Sequence, residues 1–165
     1  DTVYEKMTIP EDAMKLAGPL GPASGIDAEK LGGIVVDDKA AEKSGEWTEG
    51  TGLKGYVEYG YVYSSDQKAT IRFPFQIPNA GSYDVRVSYL PHENRGKHVR
   101  VVLTIDGQSI ETTIDMTKAA PLENGFLSLG TINAKSGAKG SVEFFAKGAG
   151  GNVHADAVQI VPAAK

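Results

Sequence analysis

The stretch ATIRFPFQIPNAGSYDVRVSYLPHENRGKHVRVVLTI, residues 69–105, decides the fold. Three apolar sets recur in it with a period of two. They are Ile71, Phe73, Phe75 and Ile77; then Tyr83, Val85, Val87 and Tyr89; then Val99, Val101, Leu103 and Ile105. In the middle set Asp84, Arg86 and Ser88 take the opposite face. Successive side chains of a strand point to opposite sides, so this pattern predicts strands with one buried and one wet face. PNAGS (Pro78–Ser82) supplies the turn between the first two. Pro74 cannot donate to a sheet ladder, so its strand is an edge or carries a bulge there.

Working outward, GIVVDD from Gly33 reads as one buried run. YVEYGYVY (Tyr56–Tyr63) alternates, with Val57, Tyr59, Tyr61 and Tyr63 on one face. QSIETTID, GFLSLGTIN, GSVEFFAK and HADAVQIV complete the set. DGQ (Asp106–Gln108) is a hairpin signal, and KSGAKG and KGAGGN are glycine-rich reversals. After Gly33 no run has helical period. The expectation is an all-β fold: about nine strands in an antiparallel, jelly-roll-like β-sandwich spanning residues 33–162.

Residues 1–32 differ. TIPEDAMKLAG reads as a short helix, with Thr8 and Glu11 as a capping box, Pro10 in the first turn and Gly18 at the end. GPLGPASG is linker-like, and IDAEKLGG predicts one more turn capped by Asp27. This segment is expected to be a linker or a partly helical N-terminal extension, or a strap lying on the domain. The chain opens at Asp1, which suggests a processed protein or an excised fragment.

At 165 residues the chain predicts one domain able to bury its own core. A net charge of −4 argues against nucleic acid as main partner, because binding phosphates takes a basic face. No stretch approaches the roughly 20 apolar residues of a membrane span. The absence of cysteine removes disulfides, thiolate nucleophiles and cysteine-ligated metals.

The motifs of zinc proteases, serine hydrolases, nucleotide cradles and dinucleotide folds are all missing. GAGG at residues 148–151 lies in a turn before a strand, so it is no phosphate cradle. PHENRGK (Pro91–Lys97) has two readings. It is a solvated hairpin tip, or His92, Asn94 and Arg95 form a polar platform: Arg offers a planar fork of donors, Asn both donor and acceptor, and His a ring. A sharper version makes it a lyase site, with a base beside a uronic acid and Arg or Asn to neutralise the acid. Trp47, Tyr59 and Tyr63 are candidate stacking rings for sugars, against a structural reading in which they fill the core, which is favoured for Tyr61 and Tyr83. Asp37, Asp38 and Asp156 are weak candidates for Ca²⁺ ligands if the first and last strands are neighbours. The bland alternative has Asp37 or Asp38 capping a turn and Asp156 accepting from backbone N–H groups. His98 and His154 read as surface or rim residues.

In order, GIVVDDKAAEKSGEW, YVEYGYVY, GSYDVRVSYLPHENR, GFLSLGTI and HADAVQIV resemble the golvesin C-terminal / xanthan-lyase carbohydrate-binding-domain-like family of bacterial modules, over residues 32–162. The resemblance implies a non-catalytic β-sandwich accessory module of a larger secreted, periplasmic or cell-surface protein. It would tether an upstream catalytic domain to a polysaccharide, and an acidic glycan is the natural partner for Arg95 and nearby Lys97. By the same resemblance Asp37, Asp38, Trp47, Asn94, Arg95 and Asp156 are characteristic positions. Two departures stand out: Glu58 replaces a frequent glycine, and Gly96–Lys97 replace small or hydroxylic residues. The rival expectations are a structural or protein-interaction module that packs on its parent without binding sugar, and a small polysaccharide lyase.

Overall fold

The computed structural model describes residues 25–163. The expected Thr8-capped helix and most of the glycine-proline linker lie outside them. Among these residues twelve strands form three antiparallel sheets. β1 (Ile34–Asp37), β12 (Ala157–Pro162), β6 (Gly81–Ser88) and β9 (Phe126–Ala134) make a four-stranded sheet in that spatial order. β2 (Glu42–Ser44), β5 (Thr70–Gln76), β10 (Lys139–Phe145), β7 (Val99–Ile105) and β8 (Gln108–Ile114) make a five-stranded one. A small third sheet joins β11 (Val153–Ala155), β4 (Tyr61–Ser64) and β3 (Thr48–Gly50).

The three period-two sets lie where the sequence puts them. All twelve residues are buried in one core, which also takes Val142, Phe144, Val158 and Ile160. Phe73 and Phe144 meet with ring centroids 5.7 Å apart. The Asp106-Gly107 turn has both residues in the left-handed region (φ 47° and 76°), and Ile105 pairs with Gln108. This is the two-residue hairpin loop whose twist matches the strands it joins. β5 lies between β2 and β10, yet the short β2 ends opposite Arg72, so Pro74 sits where β5 is locally an edge.

The strand count exceeds nine for physical reasons. β2 and β3 are three-residue, largely exposed segments that bury no stripe, so they leave no alternation to read. HADAVQIV divides at Asp156 into β11 and β12, which belong to different sheets. YVEYGYVY is not one strand. Glu58 sits at φ 60° and Gly60 at φ 157°, so only its last part, in β4, is extended. Tyr56 and Val57 are both buried in the preceding loop, and so are Tyr61 and Val62, which breaks the expected face. Glu58 thus occupies the left-handed conformation that favours glycine. In β9, Leu129 is an extra residue opposite the Val85–Arg86 step, so the apolar phase shifts along that strand.

Residues 25–33 strap the four-stranded sheet. Asp27 caps a single 3-10 turn (Ala28–Lys30) by accepting from Glu29 N at 3.0 Å. Ala28, Leu31 and Val35 pack on Val57, Phe126 and Ala157, and Gln159 Nε2 donates to the carbonyls of Leu31 and Gly32. β12 is therefore covered on both faces.

Candidate functional site

Loop 89–98 is not a hairpin tip. β6 belongs to one sheet and β7 to the other, so the loop carries the chain across the sandwich. Its path is fixed by a second loop, residues 146–152. Gly96 N donates to Asn152 O at 2.9 Å, Asn152 N to Asn94 O at 3.0 Å, and His98 N to Ala149 O at 3.1 Å. A Cβ on Gly96 would stand 2.6 Å from Ala149 O, so the contact requires glycine. The departure at Gly96 is thus the residue that lets the two loops touch.

Arg95 is 6% exposed and points back into the protein. Its Nε donates to Leu90 O at 3.2 Å and its Nη1 to Asn94 Oδ1 at 2.7 Å. No group among the described residues takes Nη2. Burial lowers its pKa below the ordinary arginine value. His92 and Asn94 are exposed, and His92 Nδ1 accepts from Asn94 N at 3.3 Å. Beneath the loop lies His154, which is fully buried and not the rim residue expected from sequence. Its Nδ1 accepts from Leu90 N at 3.2 Å, and its ring lies 4.3 Å from that of Tyr61. Burial, with the Arg95 charge as a second cause, pushes its pKa down to about 3. Tyr61 in turn accepts from Leu53 N through its hydroxyl at 3.1 Å.

These contacts shape a cavity of about 300 Å³ lined by Gly52, Leu53, Tyr61, Tyr63, His92, Asn94 and Arg95. Tyr63, His92, Asn94 and Arg95, all singled out from sequence, meet there. Tyr63 also lines a larger cavity of about 530 Å³ with Glu46, Thr48, Ser64, Ser65, Asp66, Lys68 and Asn152. The half-buried Tyr63 ring therefore stands between two polar hollows along the small sheet. Sequence reasoning missed the other residues of the larger one; the polar run SSDQK from the end of β4 was the available signal.

The other two candidate rings lie elsewhere. Trp47 packs on the core, and its indole N–H donates to Ser44 O at 3.1 Å and Thr70 O at 3.0 Å. Tyr59 lines a third hollow, of about 260 Å³, with Asp38, Lys39, Glu49, Gly50, Thr51, Gly60 and Tyr61.

The weak acidic candidates converge. β1 pairs with β12, and one carboxylate oxygen each from Asp37, Asp38 and Asp156 lie within 4.8 Å of one another. The bland roles are filled as well. Asp37 Oδ2 caps a 3-10 turn by accepting from Lys39 N, and Asp156 Oδ2 accepts from Val57 N at 2.8 Å. Burial is the first cause of raised pKa values at all three: Asp37 moves up, Asp38 reaches about 7 with the Asp37 charge adding to burial, and Asp156 lies well above the usual range.

Comparison with known proteins agrees with the architecture. The Golvesin C-terminal domain family matches residues 34–162, and the chain belongs to that family. No curated protein matches it. Among solved structures, a Paenibacillus xanthan lyase superposes with a TM-score of 0.71 at 23% identity, over 79% of this chain and 13% of that one. The Podospora anserina GH26-CBM35 β-(1,4)-mannanase gives a TM-score of 0.58 at 18% identity, over 80% of this chain and 28% of that one. A family 35 carbohydrate-binding module from Clostridium thermocellum gives 0.53 at 16% identity, over 79% of this chain and 98% of that one. The shared feature is the β-sandwich. The chain spans only a small part of the two enzymes, and nearly all of the isolated module. Among the described residues no helix is long and apolar enough to cross a membrane.

Proposed function

We propose that this Golvesin C-terminal domain is a non-catalytic carbohydrate-binding module that seats a polysaccharide across Tyr63. The carrying observation is that Tyr63 and the loop residues His92, Asn94 and Arg95, about thirty positions further on, line one hollow, and that the same ring closes a second. A sugar ring presents C–H groups on its faces and hydroxyls at its rim. An aromatic ring flanked by donors and acceptors matches both. The Arg95 side, with Lys97 exposed nearby in the loop, suits a carboxylate-bearing sugar, and Glu46 and Asp66 on the other side suit hydroxyls. The xanthan lyase and the mannanase that share the sandwich are much longer than this domain. By analogy it serves as an accessory unit that holds a secreted or surface enzyme on its polymer. Trp47 and Tyr59 are left out of the contact surface.

The second reading is a structural module. It is favoured by one observation: the Trp47 N–H and two Arg95 donors are satisfied within the fold. Affinity electrophoresis of the full chain in gels of neutral and acidic polysaccharides separates the two. The binding reading expects retardation by at least one glycan. Tyr63→Ala then weakens it about 30-fold, the weight of a central aromatic anchor, and Tyr63→Phe retains it. Retardation by no glycan leaves the structural module standing, and a Tyr63→Ala protein retarded as the wild type is overturns the placement of the glycan on Tyr63.

A further inference from the structure

We infer that Asp37, Asp38 and Asp156 hold a divalent cation, by its chemistry Ca²⁺, at the junction of β1 with the β11–β12 corner. Three carboxylates from the two ends of the domain converge within 4.8 Å, close enough to share one ion. Ca²⁺ takes oxygens at about 2.4 Å, so two of its ligands stand at most about 5 Å apart. The second observation is that each of the three carboxylates has an unpartnered oxygen. Asp37 Oδ1, Asp38 Oδ1 and Asp156 Oδ1 are all buried, and none has a hydrogen-bond partner among the described residues. Asp38 is 2% exposed and Asp156 1%. Buried carboxylate oxygens are ordinarily hydrogen-bonded or bound to a cation.

Among the described residues no nearby ammonium fills that role. Lys43 Nζ donates to the backbone carbonyl of Asp38 at 2.7 Å, and Lys39 pairs with Glu49 at 3.4 Å. The backbone around the cluster is already braced. Asp38 N donates to Asp156 O, and Asp156 N to Ser88 O. The carboxylates are therefore held together by the fold at the cost of their mutual repulsion. An all-oxygen donor set excludes soft metals. Burial demands an ion that surrenders its water readily, which favours Ca²⁺ over Mg²⁺. The hollow beside Tyr59 reaches Asp38 and gives the ion a route from solvent. Because Asp156 Oδ2 also holds Val57 N, the ion would brace the loop running on from the glycan-facing Gly52 and Leu53.

The test is thermal unfolding of the full chain after chelation and desalting, with and without CaCl₂ or MgCl₂, beside titration calorimetry with CaCl₂. The expected result is a calcium-dependent rise in the midpoint, on the order of 10 °C at calcium a hundredfold above its dissociation constant, and a smaller rise with magnesium. Asp38→Asn, nearly isosteric and one charge fewer, is expected to be at least as stable as the chelated wild type. It should lose the calcium shift. Asp37→Asn, at a less buried position, repeats the test should Asp38→Asn not fold. No midpoint shift and no calorimetric signal in the wild type overturns the site, as does a folded variant of either residue that responds to calcium as the wild type does.

Discussion

Replacing Arg95 by alanine tests whether the loop 89–98 owes its shape to that one side chain. Two hydrogen bonds disappear, to Leu90 O and Asn94 Oδ1. With a charged donor each contributes about 1.5 kcal/mol. The two buried methylenes that alanine lacks contribute about 0.8 kcal/mol each, so the gross loss is about 5 kcal/mol. Against this stands the burial of the charge. No carboxylate pairs with Arg95 among the described residues, so its removal strands no opposite charge and returns a few kcal/mol of desolvation. The net expectation is a loss of about 2–3 kcal/mol, or roughly 5–10 °C in midpoint for a domain of this size. Urea unfolding followed by tyrosine and tryptophan fluorescence measures it. His92→Ala, an exposed neighbour in the same loop, serves as control and should change stability by less than about 0.5 kcal/mol. An Arg95→Ala protein as stable as that control would refute the staple, and Arg95 would then be free to act on a ligand alone. If the loss appears as stated, weaker glycan retention by Arg95→Ala reports a collapsed loop as much as a lost contact. Tyr63 is for that reason the better probe of binding.

Two further outcomes follow from the same region. Gly96→Ala places a Cβ 2.6 Å from Ala149 O, a backbone atom that cannot move away alone, and should cost about 2 kcal/mol in urea unfolding; an unchanged midpoint would show that the two loops separate freely. His154 has its pKa pushed down to about 3 by burial and by Arg95, while the unfolded chain binds that proton near pH 6.5. At His154 the unfolded state therefore holds more of the proton between those values. This residue's contribution to stability falls as the pH drops through the window, by up to about 1.4 kcal/mol per unit, against the opposite contribution of Asp37, Asp38 and Asp156, whose pKa values are raised. His154→Asn keeps an acceptor for Leu90 N without the titration. It should flatten this slope in urea unfolding measured at pH 4 to 7, and an unaltered slope would assign the acid sensitivity elsewhere.

The long strands were legible because each buries one face. Ile71 to Ile77, Tyr83 to Tyr89 and Val99 to Ile105 alternate with polar residues, and a two-sheet core is the arrangement that hides three such stripes at once. β2 and β3 bury no stripe, so nothing in their composition marks them. YVEYGYVY misleads for a related reason. Its aromatics are buried by different neighbours, Tyr61 against His154 and Tyr63 between two hollows, and the φ of Glu58 turns the chain where a side-chain pattern shows nothing.

The candidate site divides the same way. Tyr63, His92, Asn94 and Arg95 were singled out by residue type, but type does not tell an exposed ring from a pinned one. Trp47 was open to both a stacking and an anchoring role from its polar and glycine neighbours, and in the fold two carbonyls hold its indole N–H against the core.

By itself the sequence determined the sandwich, the Asp27 cap, the Asp106-Gly107 hairpin and the family, because these depend on short-range periodicity and on residues at fixed offsets. Tertiary structure decided which polar residues meet. Asp37 and Asp156 lie more than a hundred positions apart and share a site only because β1 pairs with β12. Arg95 faces inward only because loop 146–152 closes over the crossing. Contacts of this kind depend on how sheets and loops stack in space, and the period of a single strand carries no trace of them.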